Sequence, residues 1–191
     1  MGMVIGIDQS ARHTGVCVLS ETGRVIALDL IEPSMQDVGA RLAYIRDGIK
    51  VYFGGSAVSG TDVRAVVMEG YSYNSVSKKF VLGEVGGQIK LADFDAKVPL
   101  YEAAPKQLKK FVTGSGTATK DQVMVAIKER WKIDIINDNL ADAYGLAQIA
   151  HEITWPKSTT RSQIEVVRVM AAKGLLKAAR RPRVQSIRGT L

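Results

Sequence analysis

Residues 3–31, MVIGIDQSARHTGVCVLSETGRVIALDLI, decide the fold. MVIGID (3–8) is an apolar run closed by an acid. HTGVCVLS (13–20) and GRVIALDLI (23–31) follow, parted by Glu21-Thr22-Gly23, which reads as a hairpin turn. Three short strands in succession predict an antiparallel start to a sheet. Downstream, Pro33-Ser34 opens a predicted helix, with Val38, Leu42, Ile45 and Ile49 on one apolar face. GGSAVSGTD (54–62) is a Gly/Ser loop. VRAVVMEG (63–70) is a buried-strand pattern, and it too ends in an acid, Glu69. Residues 78–95 read as a helix in which Gly83, Gly86 and Gly87 suggest close packing or a partner surface. VPLYEAA (98–104) is a strand, and Pro105 suits the first position of a short helix. TGSGTAT (113–119) is a loop, and Thr119 with Gln122 forms a capping box for a helix over 120–131. A last core helix runs from about Asp138 to His151. This order predicts an α/β protein, a five-stranded mixed sheet flanked by helices.

Length and composition narrow the class. The 191 residues suit one main domain, with 46% hydrophobic and 24% charged side chains. One cysteine, Cys17, excludes an internal disulfide and any cysteine-built zinc or iron–sulfur cluster. No apolar run reaches bilayer length, and the N-terminus has no signal-peptide pattern. A soluble, cytoplasmic protein is expected. The net charge of +7 is unevenly placed. Residues 1–151 hold 17 basic and 17 acidic side chains, whereas residues 152–191 hold 9 and 2. A neutral body, 1–155, with a basic helical tail, 156–191, predicts a polyanionic partner, and nucleic acid is preferred to a membrane.

Asp8 and Glu69 lie where two apolar strands end, the edge at which α/β folds build their sites. Asp138 and Asp142 share a helix face at i, i+4, a like-charge spacing that costs a few tenths of a kcal/mol in an isolated helix. A cation between them removes that cost. Four acids without a Cys or His cluster favour a hard ion, Mg²⁺ or Mn²⁺. Taken singly, Asp8 could be a turn former, Glu69 a surface acid and Asp138 a helix cap. Taken together, in this order, they read as a metal centre. His13 and His151 have no metal spacing and read as surface residues. Cys17 reads as core, and Trp131 as closing the core behind the last helix.

The segments GIDQSARHTGVCV (6–18), VVMEG (66–70), KQLKKFVTGSGTATKDQV (106–123) and DNLADAYGLA (138–147) together resemble the RuvC family of Holliday-junction resolvases, most of all its phage-type branch. The resemblance implies a ribonuclease-H-like fold and a homodimer. It matches Asp8, Glu69 and Asp142 to the family's metal-binding acids. Many members carry the fourth acid three residues before the last, where this chain has Asn139. Asp138, one residue earlier, is the preferred ligand by charge, and Asn139 stays open. Lys120 matches the catalytic-loop lysine and Lys109 a second basic position. The family's common Asp-Pro-Gly is Asp8-Gln9-Ser10 here, a departure that reads as touching a turn. The DNA-stacking aromatic after the Glu is out of register, leaving Tyr71 and Tyr73 as candidates, with Lys78 and Lys79 beside them. The chemistry implied is two-metal phosphodiester hydrolysis, with ions roughly 4 Å apart held by Asp8, Glu69, Asp138 and Asp142.

In the tail, Ile164, Val167, Ala171 and Leu175 have helical spacing, and Arg180 and Arg181 close a basic run that suits DNA phosphates. A four-way junction asks for paired cuts, which a twofold homodimer supplies. The helix at 78–95 is the candidate interface. Three other classes compete: an RNA-processing nuclease of YqgF type, a non-catalytic DNA-binding module, and an actin-like ATPase. The ATPase needs a second domain for which the chain is too short.

Overall fold

The computed structural model describes residues 2–53, 62–70, 76–157 and 160–179, and of 76–79 and 173–179 the backbone alone. Among these residues, five strands form one sheet: β1 (Gly2–Asp8), β2 (Thr14–Ser20), β3 (Val25–Ile31), β4 (Asp62–Glu69) and β5 (Leu100–Ala103). Their spatial order is β3-β2-β1-β4-β5. The first three are antiparallel, while β4 runs parallel to β1 and β5 parallel to β4. The described α-helices are α1 (Val38–Lys50), α2 (Val76–Ala96), α3 (Pro105–Thr113), α4 (Lys120–Trp131), α5 (Asp138–Thr154) and α6 (Arg161–Ala179). The expected mixed sheet, antiparallel at its start, is present.

Strand alternation sorts side chains onto two faces. Met3, Ile5, Ile7, Val16, Val18, Val66 and Met68 pack on one face, with Ile45, Ile49, Val85 and Ile89 of α1 and α2. Val4, Cys17, Leu19, Ala65 and Val67 face the other way, against α3, α4 and α5. By the same period of two, Asp8 falls on the face of Val4, and Glu69 on the face of Ala65 and Val67. Both acids therefore share the α5 side. α5 reaches the sheet because β1 and β2 offer glycine there. A Cβ at Gly6 would overlap backbone atoms of Ala143 and Ala147. One at Gly15 would lie 2.5 Å from the carbonyl oxygen of Asn139. Helix and strands thus meet backbone to backbone.

Some local expectations are corrected. α1 begins at Val38 rather than at Pro33-Ser34, because Asp37 provides the cap, accepting from the Ala40 amide at 2.7 Å. His151 is buried, with Nε2 at 3.0 Å from the Glu21 carbonyl and its ring against Trp155. His13 is exposed and pairs with Glu32. α6 buries Gln163, Val166 and Met170, while Ile164 stays 44% exposed, so its inward face is rotated from the one spacing suggested. Val166 and Met170 join the core on the α5 side. Trp131 stacks on Phe111 and meets Tyr144 edge-on, behind α5.

Candidate active site

The site lies where β1 and β4 end beneath the N-terminal turns of α5. Asp8 is the last residue of β1 and is buried. Burial pushes its carboxyl well above the usual range, and the neighbouring Glu69 and Asp142 push it further. Glu69 closes β4, and its carboxyl is pushed up to about 7 by burial and by Asp142. Asp142, one turn into α5, is pushed up to about 6 by burial. The Asp8 and Glu69 carboxyls are close enough to act on each other's ionisation. Three acids from three elements therefore sit within mutual reach, and burial makes each resist ionising even with lysines nearby.

Two lysines face them. The α4 N-terminus is fixed by its capping box: the Thr119 hydroxyl accepts from the Gln122 amide, and the Gln122 side chain accepts from the Thr119 amide at 2.9 Å. That cap makes Lys120 the first helical residue. Its Nζ forms an ion pair with the Asp138 carboxylate, the first residue of α5. Hydrogen bonding to Lys120 holds Asp138 below its ordinary value and raises Lys120 in turn. Lys120 also exerts its charge on Asp8, Glu69 and Asp142. Lys109, on α3, acts on Glu69 and Asp142 in the same sense. α3 is held by Pro105 at its first turn and by buried Leu108, Phe111 and Val112.

Asp138 is not the α5 cap. Asn137 caps the helix, accepting from the Leu140 amide at 3.1 Å. Among the described residues no three acids, histidines or cysteines stand in ready ligating geometry. Lys120 and Lys109 offset part of the carboxylates' mutual repulsion. Hard oxygen donors converging from three elements fit a divalent cation. Tyr71, Tyr73, Arg180 and Arg181 lie outside the described residues, as do the side chains of Lys78 and Lys79 in the first turn of α2.

Gln9 is the residue that sequence reasoning missed. The exchange of the family's proline for Gln9 is more than a turn variation. Gln9 is buried, and its Nε2 donates to the Glu69 carbonyl at 2.7 Å. A signal was present in the departure itself, since glutamine brings a donor and an acceptor that proline lacks.

Sheet order, strand-end acids and the covering helix together define the ribonuclease-H-like class of nucleases. Residues 4–151 match the family model described as crossover junction endodeoxyribonuclease RuvC. The chain belongs to the RuvC family. A protein of that description from Rhodopirellula baltica is 29% identical over 154 residues, covering 78% of this chain and 85% of the relative. One from Dictyoglomus thermophilum is 33% identical over 151 residues, covering 75% and 92%. The Thermus thermophilus RuvC structure superposes with a TM-score of 0.67 at 24% identity, over 80% of this chain and 95% of that one. A further structure, T. thermophilus RuvC in complex with Holliday junction substrate, gives a TM-score of 0.66 at the same identity. These two likenesses show the fold.

Proposed function

We propose that this protein is a divalent-cation-dependent, structure-selective endonuclease that cuts four-way and related branched DNA as a homodimer. The observation that carries the reading is the convergence of Asp8, Glu69 and Asp142 under two lysines in a chain of this family. Mg²⁺, or Mn²⁺ in its place, would be held as two ions per site by Asp8, Glu69, Asp142 and Asp138, with Asn139 as the alternative fourth ligand. Such ions, when bound, supply the Lewis acidity that activates water and stabilises the leaving oxygen of a phosphodiester.

The chain's own residues do the remainder. Glu69 and Asp142 both act on the charge of Asp8, so it would share in holding the ions with either of them. Lys120 and Lys109 bring positive charge to a phosphate that the carboxylates alone would repel. Were Asp138 to serve the cation, its pairing with Lys120 would give way and Lys120 could meet the phosphate. Lys78, Lys79, Arg180 and Arg181 add phosphate-backbone attraction, and Tyr71 or Tyr73 a stacking surface for an unpaired base.

The homodimer reading draws on α2. Phe80, Leu91 and Phe94 are 75%, 57% and 66% exposed. With Gly83 and Gly87 they recur at i, i+3, i+7, i+11 and i+14, a single stripe. Among the described residues no atom lies within 4 Å of a Cβ built at either glycine, so the stripe can accept a second helix closely. A twofold pair would present two sites to opposed strands of a junction.

The test uses labelled four-way junction, Y-fork, linear duplex and structured RNA, each with Mg²⁺ or EDTA, beside Asp8→Asn. Symmetric junction cuts lost in EDTA and in Asp8→Asn are expected. Equal cutting of linear duplex sinks structure selectivity, preferred cutting of RNA favours the YqgF-type reading, and no cutting at all favours a binding module.

A further inference from the structure

The ladder between β1 and β4 ends at the pair Ile7–Met68. Asp8 and Glu69 stand one residue past it, so no ladder pair joins the two acids' strands there. On its other side Glu69 remains paired, in register with Ala103 of β5, and the Gly70 amide donates to the Ala103 carbonyl at 2.7 Å. The seam between the two acids is closed instead by a side chain. Gln9 Nε2 donates to the Glu69 carbonyl at 2.7 Å. A carbonyl only accepts, so the amide's orientation is fixed by its partner: nitrogen toward Glu69, oxygen away.

That leaves Oε1 of Gln9, on a residue only 5% exposed, buried with no hydrogen-bond partner among the described residues. A buried acceptor without a donor is costly, so its presence asks for a reason.

We propose that Gln9 is a positioning residue for the metal centre. Its Nε2 ties the chain just after Asp8 to the main chain of Glu69 and so holds the two acids' backbones at a fixed spacing across the strand seam, while its Oε1 keeps a free acceptor that the described residues do not fill. This rests on the reading that the acids hold a divalent cation. Proline at this position has neither group, so the tie belongs to this chain's version of the turn.

The experiment compares Gln9→Ala and Gln9→Met with the unaltered protein and with Asp8→Asn. Mn²⁺ binding is read directly, by calorimetry and by loss of the free-ion paramagnetic resonance signal, and kcat and KM are read on a four-way junction. Circular dichroism establishes that each variant is folded. Both Gln9 variants are expected to weaken Mn²⁺ about 10–100-fold, the usual effect of removing a group that orients metal ligands. The loss should appear in kcat, with KM for the junction within about twofold. Methionine keeps the volume without the polar atoms, so wild-type affinity in Gln9→Met reduces Gln9 to a space filler and overturns the proposal. Near-normal affinity in Gln9→Ala, with binding abolished in Asp8→Asn, overturns it while leaving the metal reading intact. Unchanged affinity in Asp8→Asn overturns both.

Discussion

The two faces of the sheet use glycine in opposite ways. Under α5, Gly6 and Gly15 are filled spaces, where helix backbone lies directly on strand backbone. On α2, across the sheet, Gly83 and Gly87 are open, flanked by exposed Phe80, Leu91 and Phe94. The first arrangement gives up side-chain volume to bring Asp142 down to Asp8 and Glu69. The second leaves volume unfilled among the described residues. A glycine in sequence cannot distinguish these cases; the element covering it does.

The largest expected effect breaks the first face. Gly6→Val drives a side chain into the Ala143–Ala147 backbone and should abolish cooperative unfolding, read by circular dichroism. Gly83→Ala meets nothing and should leave the fold intact, gaining up to about 1 kcal/mol of helix propensity. If both variants behave alike in the thermal scan, the contrast between the faces is wrong.

Next comes the site under α5. Asp8→Asn should cut junction cleavage by about 10²–10³-fold or more. It should also stabilise the metal-free protein near pH 7.5. The sign follows from the raised carboxyl values: the native state holds protons on Asp8, Glu69 and Asp142 that the unfolded chain gives up at lower pH. Native stability is therefore greatest below the unfolded values, about 4, and declines as pH rises through about 6 and 7. Removing one acid should recover on the order of 1–2 kcal/mol at pH 7.5, read as a higher melting temperature without metal. A melting temperature lower than that of the unaltered protein contradicts the account.

The same protons compete with the cation. Mg²⁺ affinity should weaken by about tenfold or more between pH 7.5 and 5.5, measured by calorimetry. An affinity flat across that range would mean that the clustered acids are not the ligands.

On the α2 face, Phe80→Glu with Phe94→Glu should leave a folded monomer by sedimentation. Cleavage should then yield singly nicked junctions in place of paired cuts. A dimer persisting in that variant assigns the interface elsewhere.

The smallest effect concerns the end of the chain. Truncation after Ala179 removes Arg180, Arg181, Arg183 and Arg188 yet keeps Val166 and Met170 in the core. Junction binding should weaken several-fold and its salt dependence flatten, since the salt slope scales with the number of phosphates that basic side chains neutralise. Unchanged affinity in a salt titration would remove the tail from binding.

Strand character and side-chain period carried much of the fold in the sequence. Asp8 and Glu69 end strands whose alternation puts them on one face, and Thr119 with Gln122 announced the helix that starts at Lys120. Asp138 and Asp142 were legible as a pair, but the Asp138–Lys120 ion pair depends on how two helix starts meet, which local pattern does not encode. His151 reads as surface in the sequence because its partner, the Glu21 carbonyl, lies 130 residues away. The inward face of α6 is ambiguous in sequence because Ile164 and Val166 are both apolar, and only the packing of α6 against the core decides between them. Gln9 gives little local signal because its tie to Glu69 spans 60 residues.

The strand order has a kinetic consequence. β1, β2 and β3 close through turns of a few residues, whereas β4 joins β1 only after a long excursion through α1. Local pairings form before distant ones because their loop-closure entropy is smaller. Asp8 is thus in place on an early meander, while Glu69 arrives later on the neighbouring strand and Asp142 on the helix that covers the sheet face. Pulse-labelled hydrogen exchange during refolding should protect β1–β3 before β4, and simultaneous protection would refute that order. A chain emerging during synthesis then lacks the full set of Asp8, Glu69 and Asp142 until nearly all of its body has been made.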